Sequence, residues 1–122
     1  MKKACRIVFA LFFIVAGINH FLSPSFYYPL IPDYIPFPGL VNFLAGAAEI
    51  LLGVALLIPA TRFFAGIGIA GLMVFFIPAH VYFVAQGSCI ENSLCVSPVL
   101  GWVRLVLVQP LLIWLGWYFR KN

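Results

Sequence analysis

The chain has 122 residues, 65% of them hydrophobic and 8% charged, and its mean hydropathy is +1.13. Soluble domains average about 45–50% apolar and about 25% charged residues, and a small fold exposes a large share of its surface, so this composition excludes an ordinary soluble domain. The net charge of +4 comes without a basic stripe interleaved with stacking aromatics, which excludes a nucleic-acid partner; the length suits a single domain, 1–122, with no separate soluble catalytic unit.

Four apolar stretches follow one another at 4–22, 40–58, 63–85 and 99–119. Each is close to the ~20 residues that cross a ~30 Å hydrocarbon core as a helix. Backbone groups in lipid have to be satisfied within their own segment, so helices are expected. The expected fold class is all-α: four transmembrane helices in an up-down bundle. Between the first two stretches, Pro24, Pro29, Pro32, Pro36 and Pro38 rule out one regular helix. Phe26, Tyr27, Tyr28, Tyr34 and Phe37 suit that loop to the membrane surface. Pro59, Ala60, Thr61 and Arg62 form a tight turn, and 86–98 is a second longer loop.

Charge placement orients the bundle. Lys2, Lys3 and Arg6 open the chain, Arg62 separates the second and third stretches, and Arg120 and Lys121 close it. With four spans these regions share one face, while the two longer loops hold Asp33 and Glu91 and no Lys or Arg. The positive-inside rule makes both termini cytoplasmic. A cleaved signal peptide is the alternative for the first stretch, but its apolar run is long and no small-x-small site ends it cleanly.

Two charges fall inside spans, Glu49 and Arg104. Either would cost about 2.5–3.5 kcal/mol facing lipid at the bilayer centre, so both are expected to turn into the bundle. Counting 1.5 Å per residue, Glu49 is about 15 Å and Arg104 about 8 Å from the outer edge. His80 has a similar depth, and Asn19, His20 and Asn42 are near the outer ends of the first two spans. The expectation is one polar cluster in the outer half of the bundle, Asn19, His20, Glu49, His80 and Arg104, with Arg104 reaching Glu49 directly or through His80 and offsetting its desolvation. Two other readings stay open: the cluster acts only as glue between helices, or Arg104 extends to the headgroups. Gly46, Glu49 and Gly53 share a helix face at which the glycines admit a neighbouring helix. Pro78 and Pro110 interrupt the third and fourth spans.

Cys89 and Cys95 lie in the second outer loop. On an oxidising face they read as a structural disulfide, with a redox-active pair or free thiols as alternatives; the spacing is not that of a thioredoxin-type pair. Cys5 is alone on the other side and reads as a buried or interfacial small residue. No metal site is expected, because the two histidines are on different helices without carboxylate-histidine spacing. Phosphate-binding glycine loops and nucleophile elbows are absent.

Several short motifs, in order, carry a resemblance. Gly17-Ile18-Asn19-His20-Phe21 ends the first span, and Tyr28-Pro29-Leu30-Ile31-Pro32 follows in the loop. Gly46-Ala47-Ala48-Glu49-Ile50-Leu51-Leu52-Gly53, the turn Pro59-Ala60-Thr61-Arg62, Pro78-Ala79-His80-Val81-Tyr82, Arg104 and Gln109-Pro110 complete the set. With these the chain resembles the DoxX-like family of small four-helix bacterial membrane proteins, and more broadly the group it shares with MauE-like redox-associated proteins. The resemblance covers nearly the whole chain and implies a bundle in the bacterial inner (plasma) membrane. Named members are linked to quinone reduction, to thiol and superoxide stress, and to maturation of redox partners, and some distant eukaryotic relatives look like assembly chaperones. Cys89 and Cys95 are outside that pattern.

The resulting expectation is a redox-associated membrane subunit, accessory to an oxidoreductase if it is catalytic, whose polar pocket takes a quinone or similar small amphiphile from the lipid. No electron-carrying cofactor is visible in the sequence, so electrons would come from a redox partner protein, a quinone or a cysteine pair. The alternative is a non-catalytic scaffold or assembly factor. A small transporter would require a homo-oligomer, and no pair of broken helices in matching positions signals one.

Overall fold

A computed structural model describes all residues, Met1–Asn122. Its helices are α1 (Lys2–Leu22), α2 (Pro24–Tyr27), α3 (Pro38–Leu57), α4 (Arg62–Phe75), α5 (Ile77–Ala85), α6 (Pro98–Val103) and α7 (Gln109–Phe119). A 3-10 turn, Tyr28–Leu30, follows α2, and a π turn, Arg104–Val108, joins α6 to α7. Cys89 and Cys95 form an isolated antiparallel bridge and no sheet is present, so the fold is all-α. Four helical segments are long and apolar enough to cross a membrane: Lys2–Leu22, Pro38–Leu57, Arg62–Ala85 and Pro98–Phe119.

The two interrupted segments break where proline requires it. Pro78 has no N–H to give and its ring crowds the carbonyl four residues earlier. The third segment therefore ends one helix at Phe75 and starts another at Ile77, and the Phe76 carbonyl accepts from both Ala79 N–H and His80 N–H, at 3.1 and 3.3 Å. In the fourth segment Pro110 meets the same difficulty. There the helix widens instead of breaking: the Gln109 N–H reaches back five residues to the Arg104 carbonyl, closing a π turn. Such turns are short insertions in α-helices and occur often at functional sites.

Packing is uneven along the bundle. The hydrophobic core consists of Phe9, Ala10, Phe13, Leu56, Ala65, Ile69, Met73, Leu112 and Phe119. These residues come from the middle of α1, the end of α3, the length of α4 and both ends of α7, so the core extends from the middle of the bundle toward the end that carries both chain termini. At that end Arg6 Nη1 donates to the Asn122 carbonyl at 2.5 Å, Thr61 Oγ1 donates to the Ala55 carbonyl at 2.8 Å, and the Arg120 guanidinium lies over the Trp117 ring at 3.8 Å.

Small residues hold two helix pairs close. On α1 and α3, Gly17 faces Gly46 and Gly53 faces Ala10; on α4 and α7, Gly66 faces Gly116. Buried positions on α3 are Asn42, Gly46, Glu49, Gly53 and Leu56, a stripe at alternating spacings of four and three turned toward its neighbours. At the other end of the bundle the walls separate, and the two longer loops fold over the gap.

Candidate functional site

The gap is a cavity of about 630 Å³. Its walls are mostly apolar, with Phe12, Phe13, Phe76, Phe83 and Leu112 among them, and four ionisable side chains line it: His20 from α1, Glu49 from α3, His80 from α5, and Arg104 from the π turn. Each comes from a different one of the four long segments. Both loops contribute to the lining, the first through Tyr27 and Ile31–Pro32 and the second through Leu94 and Val96.

His20 and Glu49 face one another because the helices that carry them are so close. A methyl group on Gly46 would lie 2.7 Å from His20 Cβ, so glycine there lets α1 and α3 approach this closely at His20. Glu49, three residues further along the same stripe, then reaches the ring: Nε2 is 3.3 Å from Oε2. Asn42, seven residues before Glu49, holds the other side of the imidazole. Its Oδ1 is 2.6 Å from His20 Nδ1, and its Nδ2 donates to the His20 carbonyl at 2.9 Å. Tyr27 stacks on His20, with 3.8 Å between ring centroids, and accepts a hydrogen bond from Asn19 Nδ2 at 2.6 Å.

The expected contact between Arg104 and Glu49 is not made; the ion-pair partner of Glu49 is His20. Arg104 Nη1 donates to Gln109 Oε1 at 2.5 Å, and Gln109 Nε2 donates to the Met73 carbonyl at 2.5 Å. The reason is the π turn. It places Arg104 and Gln109 five residues apart at one ring of hydrogen bonds, so the guanidinium runs along its own helix rather than across the bundle. Gln109 is fully buried and ties that helix to α4.

Asn19 departs from expectation too. It does not line the cavity but a shallow groove on the outer side of α1, with Val8, Leu11 and Val15. Neighbouring residues on a helix are about 100° apart, so Asn19 and His20 cannot share a face; Asn19 acts on the site through Tyr27. Asn42 and Gln109 join the site although neither ionises, and their cue in the sequence was only that an amide in an apolar span needs a partner.

Gly46 and Gly53 lie at the α1–α3 contact, as described. Cys89 and Cys95 are disulfide-bonded, closing a loop across a sequence separation of 6, and Cys5 is free and exposed rather than buried. Within the same loop Ser93 Oγ donates to the Phe26 carbonyl at 2.5 Å, which ties the stapled loop to the aromatic one across the mouth of the cavity. No group of three or more His, Cys, Asp or Glu is placed to hold a metal ion.

A protein-family model described as a domain of unknown function (DUF8561) matches residues 9–119. No curated protein and no solved structure matches the chain.

Proposed function

We propose, for a chain that belongs to the DUF8561 family, an integral protein of the bacterial inner membrane, an up-down bundle with both termini cytoplasmic, that binds a quinone or similar small amphiphile between its helices as a redox-associated subunit. The observation that carries the binding part is the convergence of His20, Glu49, His80 and Arg104 on one apolar cavity of about 630 Å³. Ligand sites commonly have volumes of about 300–1,000 Å³ and apolar walls with a few converging polar groups. Ionisable side chains within a membrane segment carry a functional expectation of their own.

The membrane part is supported by four sufficiently long apolar segments. The orientation is supported by Lys2, Lys3, Arg6, Arg62, Arg120 and Lys121, all of which fall at the end of the bundle opposite the two longer loops. The redox part is supported by the motif-level resemblance to DoxX-like proteins. In this reading the aromatic walls hold the ligand's ring, Arg104 donates to its oxygens, and Glu49 orients it or exchanges a proton with it.

A quinone-site probe titrated into the protein in lipid nanodiscs tests the binding. Saturable binding that weakens about tenfold or more in Arg104→Ala is expected, since a hydrogen bond to a charged group contributes about 1.5–3 kcal/mol, and binding is expected to weaken in Glu49→Gln as well. Equal binding by the wild type and both variants removes the pocket from the mechanism.

A further inference from the structure

We propose that the cavity selects an amphiphile whose head carries an O–H donor, a phenol being the simplest, and that the Glu49 carboxylate is the acceptor that reads it. The inference rests on the reading that the cavity holds a small amphiphile, and it names the chemistry of the head group.

It starts from Asn42. That amide donates from Nδ2 to the His20 carbonyl at 2.9 Å, which leaves Oδ1 facing His20 Nδ1 at 2.6 Å. Turning the amide over would set Oδ1 against a carbonyl oxygen, acceptor against acceptor. A carbonyl oxygen only accepts, so Nδ1 carries a hydrogen. With Nδ1 committed, Nε2 is the nitrogen that faces Glu49, at 3.3 Å. A bare Nε2 and a carboxylate oxygen would again be two acceptors in contact, so the pair holds one proton between them. Asn42 and one shared proton thereby satisfy the imidazole completely.

Glu49 is left with capacity to spare. The residue is 5% exposed; Oε2 is enclosed beside His20 Nε2, and Oε1 accepts no hydrogen bond from the protein. A carboxylate oxygen has lone pairs for two donors, and the buried acceptor is costly to leave unmet. The side chain lines the cavity, so a donor for Oε1 has to come from whatever the cavity holds. On another part of the wall Arg104 uses Nη1 for Gln109 and keeps further N–H groups that can only donate. The complementary head therefore offers an O–H to Glu49 and an oxygen lone pair to Arg104. A phenolic hydroxyl offers both a donor and a lone pair, and its ring matches walls built from Tyr27, Phe12, Phe13, Phe76 and Phe83. A head with acceptors alone, such as an ether or a fully oxidised ring, leaves Glu49 Oε1 without a donor.

The test compares para-hexylphenol with its methyl ether, which has the same shape and no donor, alongside a short-chain benzoquinone. Binding to protein in nanodiscs is measured calorimetrically, with protein-free nanodiscs subtracted for partition. The phenol is expected to bind about tenfold or more tighter than the ether in the wild type, as for a hydrogen bond to a charged acceptor. That ratio is expected to shrink in Glu49→Gln and to vanish in Glu49→Met. An ether that binds as well as the phenol to the wild type overturns the proposal, whatever the variants do, and so does a phenol preference that survives in Glu49→Met. If the quinone binds and the phenol has no advantage over the ether, this inference falls and the amphiphile site stands. If none of the three binds, the amphiphile site falls as well.

Discussion

At the scale of single residues, Gln109 carries more of this site than its chemistry advertises. It has no charge, and it is fully buried. Its amide oxygen accepts from Arg104 and its amide nitrogen donates to the Met73 carbonyl, so one side chain both aims the guanidinium and joins α7 to α4. Hydrogen bonds within membrane bundles contribute about 0.6 kcal/mol each on average. Gln109→Leu removes two and releases Arg104 from its own helix. The expected outcome is a loss of about 1–2 kcal/mol in a detergent-denaturation titration, together with weakened binding of the quinone-site probe. Unchanged binding would mean that Arg104 does not need to be aimed. Depth was legible: it put His20, Glu49, His80 and Arg104, which line the cavity, at one level, together with Asn19, which does not. Their pairing was not. His20 reaches Glu49 because it is on the helix that touches α3, and Arg104 turns to Gln109 because a π turn lies between them.

At the scale of elements, the site depends on how closely α1 and α3 approach and on two prolines that stop the other segments from running straight. A methyl group on Gly17 would lie 2.6 Å from the Gly46 carbonyl oxygen and 2.9 Å from the Ile50 backbone nitrogen, atoms that cannot swing aside. Overpacking of this kind costs about 1–3 kcal/mol. Gly17→Val is therefore expected to destabilise the bundle by at least that much and to part His20 from Glu49. Gly71→Ala is the control, because nothing is within 4 Å of a methyl group there and stability is expected to hold. Equal stability of both variants in a detergent-denaturation titration would refute the close-approach argument. The glycine spacing at Gly46 and Gly53 was readable as a contact face. The different responses to Pro78 and Pro110, a break in one segment and a widened turn in the other, were not, since the same residue type imposes the same local demand in both.

At the scale of the whole molecule, one half is packed and the other encloses a cavity under two loops. The half with the chain ends holds the hydrophobic core, and the loop half holds the cavity with His20, Glu49, His80 and Arg104. The disulfide between Cys89 and Cys95 closes a short loop, which by chain entropy contributes about 2 kcal/mol to the order of that loop, and Ser93 ties it to Phe26. Cys5, the free thiol, lies at the opposite end of α1 from His20. These three cysteines report topology in one experiment. In intact spheroplasts a membrane-impermeant maleimide is expected to leave the protein unlabelled, to label two thiols after mild reduction from outside, and to label Cys5 only once the membrane is opened. Labelling of Cys5 in intact, unreduced spheroplasts would invert the proposed orientation.

The sequence by itself determined what each segment is and how deep each polar group sits. Hydropathy measures preference for lipid, and a helix advances a constant 1.5 Å per residue, so both quantities can be read along a single chain. It also made Glu49 costly to leave facing lipid, while Arg104 could turn inward or extend to the headgroups. Which helices touch, and therefore which partner each charge finds, was decided by the tertiary structure. Azimuth around a bundle depends on the close approach of Gly17 to Gly46 and on a π turn before Pro110, and neither is a property of one segment taken alone. The cavity follows for the same reason. It is the space left where two helix pairs, each held tight by small residues, separate beyond their core, and a volume between elements exists only once the elements have been placed.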